Sequence, residues 1–300
     1  MVALLGPLAA LGTAFCWSFT AILFSYSGRI IGSGIVNRSR LIFALVFISA
    51  SHLLLEGSLF PVDAAPFRWG WLGLSSVLGL VLGDTFLFRA YVMIGPRLSM
   101  LMMSSVPIIS TLLAWLFLGE RVSLVEWGGI LLTVGGIAWV VTERQQGLTV
   151  VENKHYSSGL FYGFLGALGQ ASNLVAAKFG LVDGFPTISA TAIRILVALL
   201  ILWAAAGYRR QARATLRAWR SRQAFPAMIG GTITGPFLGI WLSLVAIQLT
   251  RVGIASTIMA LPPVILIPLG RLIYGEQVSA RGITGTMVAF AGVALIFLPR

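Results

Sequence analysis

Residues 104–141 read SSVPIISTLLAWLFLGERVSLVEWGGILLTVGGIAWVV, and residues 260–297 read ALPPVILIPLGRLIYGEQVSARGITGTMVAFAGVALIF. At a shift of 156 positions the two stretches carry identical residues at several places: Pro107 and Pro263, Gly119-Glu120 and Gly275-Glu276, Val122-Ser123 and Val278-Ser279, Gly129 and Gly285, and Gly136 and Gly292. Agreement among so many glycine, proline and glutamate residues indicates an internal duplication, which has to be recognised before the fold is assigned.

The composition is that of an integral membrane protein. Hydrophobic residues make up 58% of the chain and charged residues 10%, whereas an average soluble domain has about 25% charged residues. Too few charges are present to build a polar exterior, so the net charge of +12 does not indicate a nucleic-acid-binding domain. The single cysteine, Cys16, lies in an apolar run, and one chain can therefore form neither a disulfide nor a cysteine-based metal site.

Apolar runs long enough to cross a bilayer recur along the whole chain. A hydrocarbon core about 30 Å thick needs roughly 20 helical residues at 1.5 Å each. The ten runs are 4–27, 38–55, 69–92, 96–117, 122–141, 158–180, 187–206, 225–248, 252–272 and 279–298. They predict an all-α integral membrane protein with ten transmembrane helices, in which residues 1–142 form one five-helix repeat, 143–157 a linker and 158–300 a second five-helix repeat.

The number of helices per repeat predicts how the two halves are related. Because five is an odd number of crossings, the second repeat enters the membrane from the opposite side, and the repeats are inverted. Inverted repeats place a substrate site at their interface near the bilayer midplane, and rocking of one half against the other gives alternating access. Lysine and arginine number 15 on one side and 6 on the side of the termini. The positive-inside rule therefore predicts non-cytoplasmic termini in a plasma (bacterial inner) membrane.

An arginine near the start of the second helix of each half, Arg40 and Arg194, completes the repeated pattern. Together with the proline of the fourth helix, the Gly-Glu turn and the glycine-rich fifth helix, it resembles the paired EamA units of the drug/metabolite transporter superfamily. The resemblance implies a ten-helix bundle with a central cavity that moves a small polar metabolite, often an amino acid and often outward.

We therefore expect a secondary transporter, not an enzyme, that exports or exchanges small metabolites, with amino acids as the first choice of substrate. Efflux of lipophilic cations or drugs is the alternative, followed by an intramembrane enzyme or a lipid scramblase. The sequence contains no GxxxxGK[ST] phosphate-binding loop, so we expect no cofactor, and a proton or ion gradient as the energy source. The expected partners are a small-molecule substrate and the lipid bilayer, without nucleic acid or bound metal, and the expected state is a monomer.

Several repeated residues are predicted to serve the architecture. Gly119 and Gly275 suit the left-handed end of a helix, and Glu120 and Glu276 are then expected beside the N-terminus of the next helix, where its dipole favours a negative charge. The helix prolines Pro107 and Pro263 remove a backbone hydrogen bond, and they are expected either to hinge the helix or to expose carbonyl groups to the cavity. Arg40 and Arg194 are expected to fix helix ends by binding backbone carbonyls, with substrate contact as the alternative.

Asp84 is the sharpest candidate for chemistry. A carboxylate near the centre of the third helix is costly unless it faces a partner or water. It shares a helix face with Phe88 and Tyr91 by i, i+4, i+7 spacing. Two roles stay open: a proton carrier or substrate-amine partner, and an internal ion pair with Arg40 or Arg89. The second half has Ile240 at the corresponding position, so either role belongs to one half.

Aromatic and amide side chains are predicted to line the rest of the cavity. An amide buried in lipid without a partner costs several kcal/mol, so polar helix faces should turn inward. The further predicted lining residues are Trp17, Thr20, Ser105, Gln170, Asn173, Trp241, Gln248 and Met259.

Overall fold

The computed structural model describes residues 2–141, 153–266, 269 and 280–296, and their regular structure is entirely helical. The first half contains α1 (Val2–Ile31), α2 (Ser33–Glu56), α3 (Pro66–Ser76), a first π-helical segment (Val77–Gly83), α4 (Asp84–Met103), α5 (Val106–Leu118) and α6 (Leu124–Val141). The second half contains α7 (Asn153–Gly180), a 3₁₀ turn (Val182–Gly184), α8 (Thr187–Tyr208), α9 (Ala212–Ala218), α10 (Ala224–Thr232), a second π-helical segment (Ile233–Gly239), α11 (Ile240–Leu249), α12 (Val252–Met259) and α13 (Ala280–Ile296).

The predicted membrane architecture is confirmed. Within the described residues, six apolar helices are long enough to cross a bilayer: Leu4–Ile31, Ser33–Glu56, Pro66–Gly95, Tyr156–Gly180, Thr187–Tyr208 and Ala224–Leu249. Four shorter apolar helices accompany them: Val106–Leu118, Leu124–Trp139, Val252–Leu266 and Ile283–Val293. These helices coincide with the apolar runs found in the sequence.

The helices α6 and α13 pack closely through glycines at matching positions of the two repeats. A Cβ atom built on Gly136 would lie 2.6 Å from the backbone nitrogen of Ala289, and one built on Gly292 would lie 2.7 Å from the carbonyl oxygen of Gly129. Thr133 Oγ1 also donates to the Ala289 carbonyl oxygen at 3.3 Å. Gly136 contacts Ala289, which precedes Gly292 in the chain, whereas Gly292 contacts Gly129, which precedes Gly136. The two equivalent helices therefore run antiparallel, as inverted repeats require.

Each half also contains a π-helical segment at the same repeat position. These segments, Val77–Gly83 and Ile233–Gly239, interrupt the third transmembrane helix of each half. A Cβ atom built on Gly79 would lie 2.7 Å from the side chain of Asn173 on α7, and one on Gly235 would lie 2.8 Å from that of Thr20 on α1. The first helix of each half thus packs on the third helix of the other half. Single π turns inside α-helices occur frequently at functional sites.

The fourth helix of each half is broken near its middle. In the first half α4 ends at Met103 and α5 starts at Val106, and Pro107 lies in the first turn of α5. In the second half α12 ends at Met259, and a further helical stretch starts at residue 262, which places Pro263 in its first turn. Proline in a first turn costs no hydrogen bond, because the N–H groups there have no partner in the helix. The prolines therefore begin a helical piece instead of kinking the interior of one.

The glycine contact between α6 and α13 predicts a position-specific loss of stability. Replacing Gly136 with alanine forces a methyl group against the backbone of α13 and should destabilise the protein by about 1–3 kcal/mol, as overpacking does elsewhere. The measurement is thermal unfolding of purified Gly136→Ala in detergent.

The neighbouring Gly135 supplies a matched control, because a Cβ atom there would meet nothing within 4 Å. Gly135→Ala should unfold at the wild-type temperature or above it. Equal melting temperatures for Gly136→Ala and Gly135→Ala would contradict the close packing.

Candidate functional site

A cavity of about 90 Å³, with room for several water molecules, is lined by residues from both halves. The first half contributes five of the predicted lining residues: Trp17, Thr20, Asp84, Phe88 and Tyr91. The second half contributes Gln170, Asn173 and Met259, and both Arg40 and Arg194 reach the cavity as well. The cavity is therefore polar along one wall and aromatic or thioether-lined along another.

Three predicted lining residues lie outside the cavity. Ser105 Oγ donates to the Met102 carbonyl oxygen at 2.7 Å, Trp241 Nε1 donates to Thr187 Oγ1 at 3.0 Å, and Gln248 Nε2 donates to the Phe185 carbonyl oxygen at 2.8 Å. That these three residues contact the substrate stays a prediction. The second π segment ends just before Ile240, and Ile240 and Ser243 line the cavity.

A continuous chain of polar side chains connects the two halves beside the cavity. Arg40 Nη2 binds Asp84 Oδ2 at 2.5 Å, and Gln170 Nε2 donates to Asp84 Oδ1 at 2.7 Å. Asn173 Nδ2 donates to Gln170 Oε1 at 2.8 Å, and Arg194 Nη2 donates to Asn173 Oδ1. The chain begins on α2 and α4, passes through α7 and ends on α8. The polar side chains predicted separately therefore form one network.

Arg40 is held on several sides. Its Nε donates to Asn37 Oδ1 at 2.9 Å, and its guanidinium carbon lies 4.8 Å from the centre of the Phe88 ring. Arg40 and Asp84 are 3% and 6% exposed, so their charges face each other in the interior of the protein. Of the two arginines considered as partners for Asp84, Arg40 makes the ion pair, whereas Arg89 Nη1 lies 3.3 Å from the Tyr162 hydroxyl.

Arg194 is placed differently from Arg40. It is 2% exposed, and Ser76 Oγ donates to its carbonyl oxygen at 2.5 Å. Its Nη2 has Asn173 as acceptor, but Nε and Nη1 are buried without any acceptor among the described residues. Arg194 therefore lines the cavity, and two of its nitrogen atoms are enclosed by the protein without an acceptor among the described residues.

The expectation that Arg40 and Arg194 fix helix ends through backbone carbonyls is corrected. In the described part of the chain, their acceptors are the side chains of Asn37, Asp84 and Asn173. The carbonyl groups of intact helices around them are already occupied by the helical hydrogen bonds, so the guanidinium groups bind carboxylate and amide oxygens across the helix interfaces.

The Gly-Glu turn of the first half ends one helix and starts another. Gly119 has φ 65° and terminates α5 in the left-handed conformation, as predicted. Glu120, however, lies at the N-terminus of α12 and not of α6: its Oε2 accepts from the Val252 N–H at 2.9 Å, and its Oε1 lies 3.1 Å from Lys178 Nζ. Gly275 and Glu276 lie outside the described residues.

The N-terminus of α6 is occupied by Glu126, which explains why Glu120 is free to bind elsewhere. Glu126 Oε2 accepts from the Ser123 N–H at 2.8 Å, and the Glu126 N–H donates to Ser123 Oγ at 3.3 Å. This reciprocal arrangement is a capping box. Glu126 also binds Arg251, which precedes α12. The ion pairs Glu120–Lys178 and Glu126–Arg251 form what we call the terminal ion-pair cluster, and they join the two halves at one end of the bundle.

Comparison with known proteins agrees with this architecture. The model of the EamA-like transporter family matches residues 4–142 and 157–298. An "Uncharacterized transporter" of Archaeoglobus fulgidus is 23% identical over 295 residues, which cover 97% of this chain and 98% of the relative. A solved structure titled "Crystal structure of protein" superimposes with a TM-score of 0.76 at 18% identity, covering 98% of this chain and 96% of the other. The last likeness concerns the fold alone.

The buried ion pair predicts strong coupling between its two members. Asp84→Asn leaves the Arg40 guanidinium charged and unpaired in a dry site, and should cost about 3–5 kcal/mol of stability. Thermal or denaturant unfolding of Asp84→Asn, Arg40→Gln and the double variant gives a double-mutant cycle. We expect the double variant to be more stable than the sum of the single losses predicts. Additive losses would contradict the pairing.

Proposed function

Because this chain belongs to the EamA-like transporter family, we propose that it is a secondary transporter that exports or exchanges small metabolites, with amino acids as the first choice, by alternating access. The observation that carries this proposal is the cavity between the two halves, which combines buried charged and amide groups with an aromatic wall. Small-molecule sites combine an apolar lining with a few placed polar groups in this way.

The charge of the cavity supports a substrate that bears a negative group. Its described lining includes the guanidinium groups of Arg40 and Arg194, against the single carboxylate of Asp84. A lipophilic cation entering this site would meet an excess of positive charge in a medium that screens poorly. An amino acid offers a carboxylate as well as an ammonium group and is therefore the better match.

The architecture supports alternating access through the relation of the halves. The antiparallel contact of α6 with α13 and the crossed packing of α1 and α7 on the π segments relate the halves by an inversion, and inverted halves can exchange roles when one rocks against the other. In this mechanism the terminal ion-pair cluster closes one end of the pathway, and it must separate when that end opens. The energy comes from a gradient of substrate, proton or ion.

Counterflow in proteoliposomes tests the substrate class. Vesicles preloaded with an unlabelled amino acid should accumulate the same amino acid in radiolabelled form when they contain this protein, and should not do so without it. A panel of amino acids and one lipophilic cation is measured under identical conditions. Saturable counterflow of the cation, with none for any amino acid, would overturn the proposal.

Cross-linking tests whether the terminal ion-pair cluster has to open. Cysteines replace Glu126 and Arg251, whose side chains are in contact, in a Cys16→Ala background. A short bifunctional methanethiosulfonate should then reduce counterflow at least about tenfold, because it holds both halves together at that end, and a reductant should restore it.

The two single-cysteine variants treated with the same reagent control for simple modification. Full counterflow in protein that is completely cross-linked between positions 126 and 251 would exclude this end of the bundle as a gate.

A further inference from the structure

We propose that Arg194 binds the carboxylate group of the substrate, which supplies beside Arg194 the negative charge that Asp84 supplies beside Arg40. This inference rests on the proposed function, since it names the group of the transported molecule that the cavity recognises. Its basis is the different environment of the two equivalent arginines.

The first observation is that one arginine is satisfied and the other is not. Arg40 uses Nη2 for Asp84 and Nε for Asn37, and it lies over the Phe88 ring. Arg194 uses Nη2 for Asn173, while Nε and Nη1 have no acceptor among the described residues although they are buried. A guanidinium group carries five N–H donors, of which Nε and Nη1 provide three. Leaving charged donors buried and unbonded is costly, and an anion that reaches these donors removes that cost.

The second observation is the internal duplication itself. Asp84 and Ile240 are equivalent at the shift of 156 positions, and both line the cavity. Arg40 has a carboxylate supplied by its own repeat, whereas the second half has an isoleucine at the position equivalent to Asp84. The cavity lining has two arginines and one carboxylate. A substrate carboxylate would supply the second negative charge.

The third observation is that the backbone of Arg194 and its side-chain acceptor Asn173 are both held by further hydrogen bonds. Ser76 Oγ donates to its carbonyl oxygen at 2.5 Å. Asn173, its acceptor, is held through Nδ2 by Gln170 Oε1 at 2.8 Å and through Oδ1 by Ser75 Oγ at 3.2 Å. Preorganised donors bind an anion without an ordering cost.

The remaining walls define the rest of the ligand. Trp17, Phe88 and Met259 line the cavity near the polar chain, and such side chains accommodate an apolar body. The substrate class is therefore a small carboxylate with an apolar side chain, for which leucine is the working example among the amino acids of the proposed function.

The first test compares three probes that share an apolar body and differ in their charged groups. L-Leucine, 4-methylpentanoate and 3-methylbutylamine share an apolar body but carry both charges, the carboxylate alone or the ammonium alone. We expect the first two to raise the melting temperature of the purified protein and to compete in counterflow, and the amine to do neither. Equal effects of the amine and of leucine would overturn the assignment of the carboxylate to Arg194, while leaving amino-acid transport intact.

The second test removes the guanidinium group. Arg194→Gln should weaken binding of 4-methylpentanoate at least about tenfold, the effect of losing one charge-assisted hydrogen bond. Arg89→Gln is the control, because Arg89 lies outside the cavity with Tyr162. Unchanged affinity in a folded Arg194→Gln would refute the proposal.

The third test supplies the missing carboxylate from the protein. Ile240→Asp should pair with Arg194 and exclude the substrate carboxylate, whereas Ile240→Asn makes the same change of shape without the charge. We expect at least about tenfold weaker binding of 4-methylpentanoate to Ile240→Asp than to Ile240→Asn. Equal binding to both variants would count against the proposed site even if Arg194→Gln failed to fold.

Loss of the proposed function is distinguishable from loss of this inference. If the wild-type protein transports no amino acid but 4-methylpentanoate still stabilises it through Arg194, the amino-acid proposal fails and the carboxylate site stands. If leucine is transported equally well by wild type and Arg194→Gln, the assignment of the carboxylate to Arg194 fails and the amino-acid proposal stands.

Discussion

A charged side chain in the interior of a membrane protein needs a partner, and the ion pair of Arg40 with Asp84 is where this bundle satisfies that requirement most completely. The two groups are almost fully buried and 2.5 Å apart. Lipid supplies no alternative acceptor at such depth, so the polar groups around the pair must satisfy one another. Gln170 and Asn173 carry the hydrogen bonds from Asp84 into the second half. The polar wall of the cavity is this network, and the two halves meet where it crosses.

Close backbone packing complements the polar network. Helices in a bilayer gain little from the hydrophobic effect and associate through van der Waals contact, which small residues permit. Gly136 and Gly292 allow α6 and α13 to approach at one interface, and Gly79 and Gly235 admit the side chains of Asn173 and Thr20 at the other. In the second interface the glycines belong to the π segments. The irregular backbone thus lies directly beside the residues that line the cavity.

The sequence predicts the helices and the duplication well, because apolar length and repeated glycine and proline positions are properties of single residues and their spacing. It predicts cavity residues on α1, α4 and α7 for the same reason: Asp84, Phe88 and Tyr91 obey the regular helix period. Trp241 and Gln248 follow the second π segment and are not among the residues that line this cavity. The sequence does not predict the partners of Arg194 and Glu120, because these partners lie on other helices.

The difference between the halves matters more for function than their likeness. A duplicated, inverted scaffold provides two arrangements of the same shape, and alternating access needs that equivalence. A substrate such as an amino acid has no such symmetry, so the groups that recognise it must differ between the halves. Here the first half neutralises its own arginine with Asp84, whereas the second half has Ile240 at the matching position and leaves donors of Arg194 unbonded. In the proposed mechanism the first half then serves the architecture, and the second half responds to an anionic group of the substrate.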